Sequence, residues 1–134
     1  MRKSLRHKAD SLSHSPTEAA EQELVVVWLK ARKPPLRFAA VPNGGRRSPR
    51  EAAALARQGV RKGVPDLLVF NATRAGEVGL AIEMKRRSGG IVSPHQKDWH
   101  KALRERGWRV EVCRGADEAI AVLRDAYDLV EQAT

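Results

Sequence analysis

Several features that mark common protein classes are scarce in this chain of 134 residues. Its single cysteine, Cys113, cannot form an internal disulfide, which argues against a small disulfide-stapled domain. No apolar run is long enough to span a bilayer, and no apolar segment follows the basic N-terminus as in a secretory signal. Aromatic residues make up only 4%, and the glycine-aromatic strand signatures of the common RNA-binding modules are missing. We therefore expect a cytoplasmic protein that does not enter membranes.

Acidic residues are outnumbered, since 25 basic side chains stand against 16 acidic ones and give a formal net charge of +9. The excess is clustered: residues 46–62 carry six basic side chains against Glu51 alone, and Lys85, Arg86 and Arg87 form a second cluster. Such an excess attracts polyanions, of which nucleic acid is the commonest. A solvated surface that only aids solubility is the alternative, but the clustering favours nucleic acid.

The length predicts one domain, over residues 15–134, after a polar, basic and aperiodic segment at 1–14 that we interpret as a flexible arm. Ser-Pro pairs at 15–16, 48–49 and 93–94 each have an acid or amide three residues after the serine. This combination of N-cap, first-turn proline and capping-box spacing predicts helices at 16–31, 49–58 and 94–106. Acids at 117 and 118 suit the start of a last helix at 116–131.

Apolar and alternating runs at 36–41, 66–70, 79–85 and 108–113 predict four strands between these helices. The second run is apolar on both faces after its first residue, which is typical of a central strand. The short link with Gly76 predicts an antiparallel hairpin of strands two and three. A helix joins strands three and four, which implies a parallel crossover. The predicted fold is α/β, with a mixed four-stranded sheet flanked by helices.

The candidate chemistry lies on this hairpin. Asp66 heads a buried strand directly after Pro65, while Glu83 and Lys85 share one face at the end of the next strand. In a hairpin the start of one strand lies beside the end of the other, so we expect the three side chains to converge. Two carboxylates and a lysine suit phosphodiester hydrolysis with Mg²⁺ or Mn²⁺. A structural salt bridge from Lys85 to Asp66 or Glu83 is the alternative, but three such residues on a basic chain favour a metal-dependent nuclease.

These residues also carry a family resemblance. Pro65-Asp66 followed by Glu83-Met84-Lys85 resembles the short signature of the PD-(D/E)XK nuclease superfamily. Further stretches resemble its VRR-NUC branch, in particular small stand-alone phage and bacterial members: 42–45, 59–66, 79–85 and 93–96, together with Glu18, Gln22, Trp28, Trp99, Leu103 and Gly107. The resemblance covers residues 18 to about 125. It implies a restriction-endonuclease-like αβββαβ core and, for the compartment, a bacterial or phage-infected cell.

For function, the resemblance implies a Mg²⁺- or Mn²⁺-dependent endodeoxyribonuclease acting on structured or branched DNA, similar to Holliday junction resolvases, and a homodimer. It implies that Asp66, Glu83, Glu18 and the backbone carbonyl of Met84 bind the metal, and that Lys85 and Gln96 are catalytic. Glu18 and Gln96 also stand three residues after Ser15 and Ser93, so helix capping is an alternative for each. The less favoured candidates for the acid of the first helix are Glu21 and Glu23.

Contacts to the DNA backbone are expected from polar and basic side chains around the site, namely Asn43, Arg46, Arg47, Arg61, Lys62 and Arg86. The Asn43-Gly44-Gly45 stretch is either a simple turn or a loop that brings amides to a phosphate. His95 and His100 have no cysteine partners at zinc-ligand spacing, so we expect surface or rim residues. The tryptophans are expected to be core residues rather than base-stacking platforms. The alternative function is a catalytically silent DNA-binding module with the same fold.

Overall fold

A computed structural model describes residues 16–42 and 47–127 of the chain. These residues form helices and strands in the order α1 (Glu18–Lys30), β1 (Phe38–Ala40), α2 (Pro49–Arg57), β2 (Leu67–Val69), β3 (Leu80–Lys85), α3 (Pro94–Glu105), β4 (Arg109–Arg114) and α4 (Ala116–Tyr127). This is the predicted order. The proposed arm at 1–14, Asn43, Arg46 and the predicted end of the last helix at 128–131 lie outside the described residues.

The strands form one mixed sheet in the order β1-β2-β3-β4. β2 pairs antiparallel with both β1 and β3, and β3 pairs parallel with β4. The predicted hairpin, the central position of β2 and the parallel crossover are therefore confirmed. The hairpin register sets Leu67 opposite Ile82, which brings Asp66, immediately before β2, beside Glu83.

Capping serines fix two of the helix starts as predicted. The Ser48 side chain accepts from the Glu51 amide at 3.1 Å, and Ser93 forms a complete capping box with Gln96. The predicted start of the first helix is wrong: α1 begins at Glu18, and Thr17 is its N-cap, accepting from the Ala20 amide at 3.1 Å. Because the cap is Thr17 rather than Ser15, the capping-box interpretation of Glu18 is wrong as well.

The hydrophobic core lies between the sheet and the helices α1 and α4. It contains Val25 and Leu29 of α1, Ile82 and Met84 of β3, and Leu123 of α4. Ile82 and Met84 enter this core, whereas the intervening Glu83 and the following Lys85 contact Gln96 on α3. The side-chain alternation of β3 thus separates a packing face from a chemical face, as predicted. No helix within 16–42 and 47–127 is long and apolar enough to cross a membrane.

Candidate active site

Asp66 and Glu83 meet where the β2–β3 hairpin brings the start of one strand beside the end of the other. Asp66 Oδ2 accepts a hydrogen bond from the Met84 amide at 2.7 Å, which fixes the carboxylate against β3. Its carboxyl group lies close enough to that of Glu83 to raise the pKa of Glu83. The predicted convergence of these two acids is therefore present, and it follows from strand register rather than from a local turn.

Glu83 is a buried acid in an unfavourable setting. Its side chain is only 2% exposed. Burial, followed by the hydrogen bond and negative charge of Asp66, raises the pKa of Glu83 to about 9. Two carboxyl groups so close cannot both ionise without a compensating positive charge. At neutral pH this pair therefore holds a proton or requires a cation.

Lys85 completes the predicted trio and is almost buried, at 7% exposure. Its Nζ donates to Gln96 Oε1 at 3.1 Å. The same oxygen accepts from the Ser93 amide at 2.9 Å, and Gln96 Nε2 donates to Glu83 Oε2 at 3.2 Å. The capping interpretation of Gln96 is confirmed, and the same side chain also joins the lysine to the buried acid.

Glu18, in the first turn of α1, lies at the rim of this group. A Cβ built on Gly90 would lie 3.9 Å from Glu18 Oε1 and 3.8 Å from Lys85 Cδ, so both side chains border the same glycine. The negative charge of Glu18 also contributes to the raised pKa of Glu83, as the smallest of its causes. The position is compatible with the role that the family resemblance implies for Glu18.

His100 is a member of the site that the sequence analysis missed. The expectation of a surface or rim residue is wrong: His100 is 4% exposed, and its Nε2 lies 3.3 Å from Glu83 Oε1. Burial, followed by the positive charges of Arg104 and Lys85, lowers the pKa of His100, so the ring is neutral at neutral pH. Its spacing offered a signal, since residues four apart share a helix face and Gln96 was already a candidate.

Glu21, a less favoured candidate for the acid of the site, has structural contacts instead. The side chain is completely buried, its Oε1 accepts from Arg87 Nε at 2.8 Å, and its Oε2 accepts from the Ala116 amide at 2.5 Å. The hydrogen bond from Arg87, followed by that from Ala116, lowers the pKa of Glu21. Glu21 therefore ties α1 to the start of α4 and to the segment after β3. Glu23 is exposed.

The described basic candidates Arg47, Arg61, Lys62 and Arg86 are all exposed. Arg61 and Lys62 directly precede Gly63, which has φ +92° and packs on the first turn of α3. A Cβ at this position would lie 2.6 Å from the His95 carbonyl carbon and 2.8 Å from the Gln96 nitrogen, so only glycine allows the approach. This packing sets Arg61 and Lys62 beside the helix turn that carries Gln96.

The donor set fits a hard divalent cation. Asp66, Glu83 and Glu18 offer carboxylate oxygens, and burial together with the charge of Asp66 raises the pKa of Glu83, a cost that a bound cation would lower. Within the described residues, no three His, Cys, Asp or Glu side chains form a complete cation site on their own. This pattern suits Mg²⁺, which is usually bound through one or two carboxylates together with water and substrate phosphates.

Comparisons with known proteins identify the family of this chain. The family model of the VRR-NUC domain matches residues 16–117, which include every residue of the site described above. A solved structure of a VRR-NUC domain protein shares 31% sequence identity with this chain and superposes with a TM-score of 0.75, covering 90% of this chain and 99% of that one. A search of curated proteins gave no match. The chain therefore belongs to the VRR-NUC family and has its nuclease-type, restriction-endonuclease-like fold.

Proposed function

We propose that this protein is a metal-dependent nuclease that hydrolyses phosphodiester bonds in structured or branched DNA. The observation that carries the proposal is the hairpin register that sets Asp66 beside the buried Glu83, with Lys85 joined to Glu83 through Gln96. A purely structural hairpin salt bridge would pair each carboxylate with a cation. Here the two acids lie side by side, which costs stability and is typical of a functional site.

The residues that would hold Mg²⁺ or Mn²⁺ are Asp66 and Glu83, with the Met84 backbone carbonyl and Glu18 as further oxygen donors. When bound, the cation supplies Lewis-acid polarisation of the phosphoryl group and lowers the pKa of water at the site. The protein contributes fixed positions: the Met84 amide holds Asp66, and Gln96 and His100 hold the two oxygens of Glu83. Each carboxylate is thus oriented before a cation arrives.

Lys85 supplies positive charge to the phosphate. Its ammonium group is directed by Gln96 Oε1 and is nearly excluded from water, so it needs little reorganisation when negative charge develops. Removal of this donor is expected to lower kcat more than it raises KM, because the interaction strengthens as the phosphate approaches its transition state.

Substrate binding is assigned to the basic side chains around the site, including Arg47, Arg61, Lys62 and Arg86, with Asn43 and Arg46 as further candidates. Contacts of this kind grip the phosphate backbone without reading sequence, so binding should weaken steeply with salt. A chain of this size offers little surface for a branched substrate. A symmetric homodimer would present two active sites for paired cuts.

The test is cleavage of a labelled four-way junction and of a matched duplex, with Mg²⁺, with Mn²⁺ and with chelator. Asp66→Asn and Lys85→Met are near-isosteric, and circular dichroism would show that they fold. The exposed Asp98 and Lys101 provide matched controls as Asp98→Asn and Lys101→Met. We expect cutting that requires the cation and is lost in the first pair but kept in the second. Undiminished cutting by Asp66→Asn or Lys85→Met would refute the assignment.

Three further measurements separate the finer parts of the proposal. Binding of the junction by the wild-type chain without cutting under any divalent cation would identify a silent DNA-binding module instead. Competition by duplex, four-way junction and RNA would show which nucleic acid is preferred. Sedimentation that shows a strict monomer, both free and on DNA, would count against the homodimer.

A further inference from the structure

A groove of about 240 Å³ is lined by segments that adjoin residues of the candidate active site. Three of the residues that line the groove are neighbours of site residues. The Val41 amide donates to the Asp66 carbonyl at 2.9 Å, Val64 precedes Asp66 by two residues, and Trp99 lies one helical turn after Gln96 on α3. The groove therefore adjoins the segments that carry the site, on the side of the loop between α2 and β2.

The lining of the groove combines an apolar floor with cationic edges. Apolar side chains make up most of it, namely Val41, Pro42, Leu55, Val60, Val64 and Trp99. Arg47 and Arg61 supply the charge, and none of the described lining residues is acidic. The Arg47 guanidinium is held at the groove by a hydrogen bond of 3.2 Å to the Pro42 carbonyl.

We propose that this groove binds one unpaired nucleotide next to the scissile phosphate, with the base against Trp99 and the phosphate near Arg47 or Arg61. The proposal rests on the proposed nuclease function, because that function brings a DNA backbone to Asp66 and Glu83. An aromatic and apolar surface suits the face of any base, and arginines suit its phosphate. The volume is below the about 300–1,000 Å³ of a pocket for a drug-sized ligand, which fits a single base.

Trp99 departs from the expectation that all three tryptophans are core residues. Each of them is only half-buried, and Trp28 packs against the core while Arg32 and Arg124 lie over its ring. Trp108 contacts Phe70 edge to face. Trp99 instead lines the groove beside the site, where a stacked base would complete its burial. The substrate class that follows is DNA with an unpaired nucleotide at a branch, flap or gap, in preference to continuous duplex.

The test measures binding without cleavage, in chelator, by fluorescence anisotropy of a duplex with one unpaired nucleotide and of the same duplex fully paired. Trp99→Phe and Trp99→Leu both remove the indole, but only the first keeps an aromatic face. We expect Trp99→Leu to weaken binding of the unpaired substrate about tenfold, with fully paired duplex unchanged and Trp99→Phe close to wild type. A 2-aminopurine at the unpaired position should be quenched by the wild type and not by Trp99→Leu.

Leu55→Asn is a second variant, on a helix none of whose residues is fully buried, so it should fold even if Trp99 variants do not. It makes the groove wall polar and should reduce the preference for the unpaired substrate. Trp28→Leu is the control, because it removes another half-buried indole outside the groove, and its preference should equal that of the wild type.

Equal binding of paired and unpaired DNA by the wild type, or equal effects of Trp99→Phe and Trp99→Leu, would overturn the proposal. Loss of self-association in Leu55→Asn with unchanged DNA binding would assign the groove to a second copy of the chain, and would overturn it too. Failure of the nuclease function is distinguishable. If the protein prefers unpaired DNA through Trp99 but never cuts it, the groove proposal holds and the proposed nuclease function is refuted.

Discussion

Gln96 joins the capping box of α3 to the candidate active site. Two substitutions can separate its capping role from its role in the site. Ser93→Ala removes the serine oxygen that accepts from the Gln96 amide at 3.2 Å, but it leaves the Gln96 side chain in place. Gln96→Ala removes the side chain itself, with its bonds to the Ser93 amide, to Lys85 and to Glu83. Both variants damage the cap, and only the second damages the site.

The magnitudes follow from these contacts. Loss of a helix N-cap costs about 1 kcal/mol, which is the expected effect of Ser93→Ala on the free energy of unfolding. Gln96→Ala should cost about 1–3 kcal/mol more, because the nearly buried Lys85 and Glu83 each lose a hydrogen-bond partner. For kcat, a lysine no longer held at its position should lower the rate by about 10- to 100-fold, since small misplacements of a catalytic group have effects of this size.

The assay is single-turnover cleavage of the junction with Mg²⁺, together with urea denaturation of each variant. We expect Ser93→Ala to be slightly less stable with nearly wild-type kcat, and Gln96→Ala to lose both stability and rate. If the two variants lose the same fraction of kcat, the side chain of Gln96 acts only as a cap, and the reasoning that places it in the site is refuted.

Three further predictions concern buried ionisable groups. His100→Leu should weaken Mn²⁺ binding severalfold in calorimetry, and His100→Gln should restore part of it, because the ring holds one oxygen of Glu83; equal affinity in all three proteins would contradict this. Glu83 has a raised pKa, so its contribution to stability is complete below its ordinary value of 4.5 and is lost as pH rises towards about 9. In metal-free protein, Glu83→Gln should abolish this loss of stability with rising pH, as measured by urea denaturation over the same pH range. An unchanged pH profile of stability in Glu83→Gln would contradict this prediction. The pKa of Glu21 is lowered, so its contribution is present above 4.5 and is lost as pH falls through its lower folded value. Glu21→Gln should flatten this acid loss and destabilise the neutral protein by about 2 kcal/mol, whereas wild-type stability at neutral pH would contradict its role.

Much of the fold was predictable because local chemistry and global topology agree. Ser48 and Ser93 fix helix starts through their own side chains, and the apolar run after Asp66 can be satisfied only in a central strand. The position of Asp66 beside Glu83 followed from the same reasoning, since hairpin register needs only the two strand ends. The start of α1 was wrong because both Ser15 and Thr17 are good caps, and the choice between them is made by the fold.

The site was less predictable where its contacts are long-range. His100 could have been found from its spacing to Gln96, but its contact with Glu83 depends on how α3 lies on the sheet. The partners of Glu21 are Arg87 and the amide of Ala116, far along the chain and in separate elements, and nothing in the local sequence of α1 points to them. The groove lined by Trp99 likewise needs the loop of Gly63 to fold back against α3.

Glu21 and Glu83 show why burial alone does not identify a functional acid. Both are almost completely buried, at 0% and 2% exposure, yet the pKa of Glu21 is lowered and that of Glu83 is raised. Glu21 is satisfied by an arginine and a backbone amide, so its charge stabilises the fold. Glu83 faces Asp66, and its ionised form is disfavoured by burial and by that neighbour. The buried Glu83 beside Asp66 lowers the stability of the fold, and a bound cation would offset that loss. The direction of the pKa shift therefore distinguishes the structural acid, Glu21, from the candidate metal ligand, Glu83. The sequence alone shows two glutamates with the same side-chain chemistry.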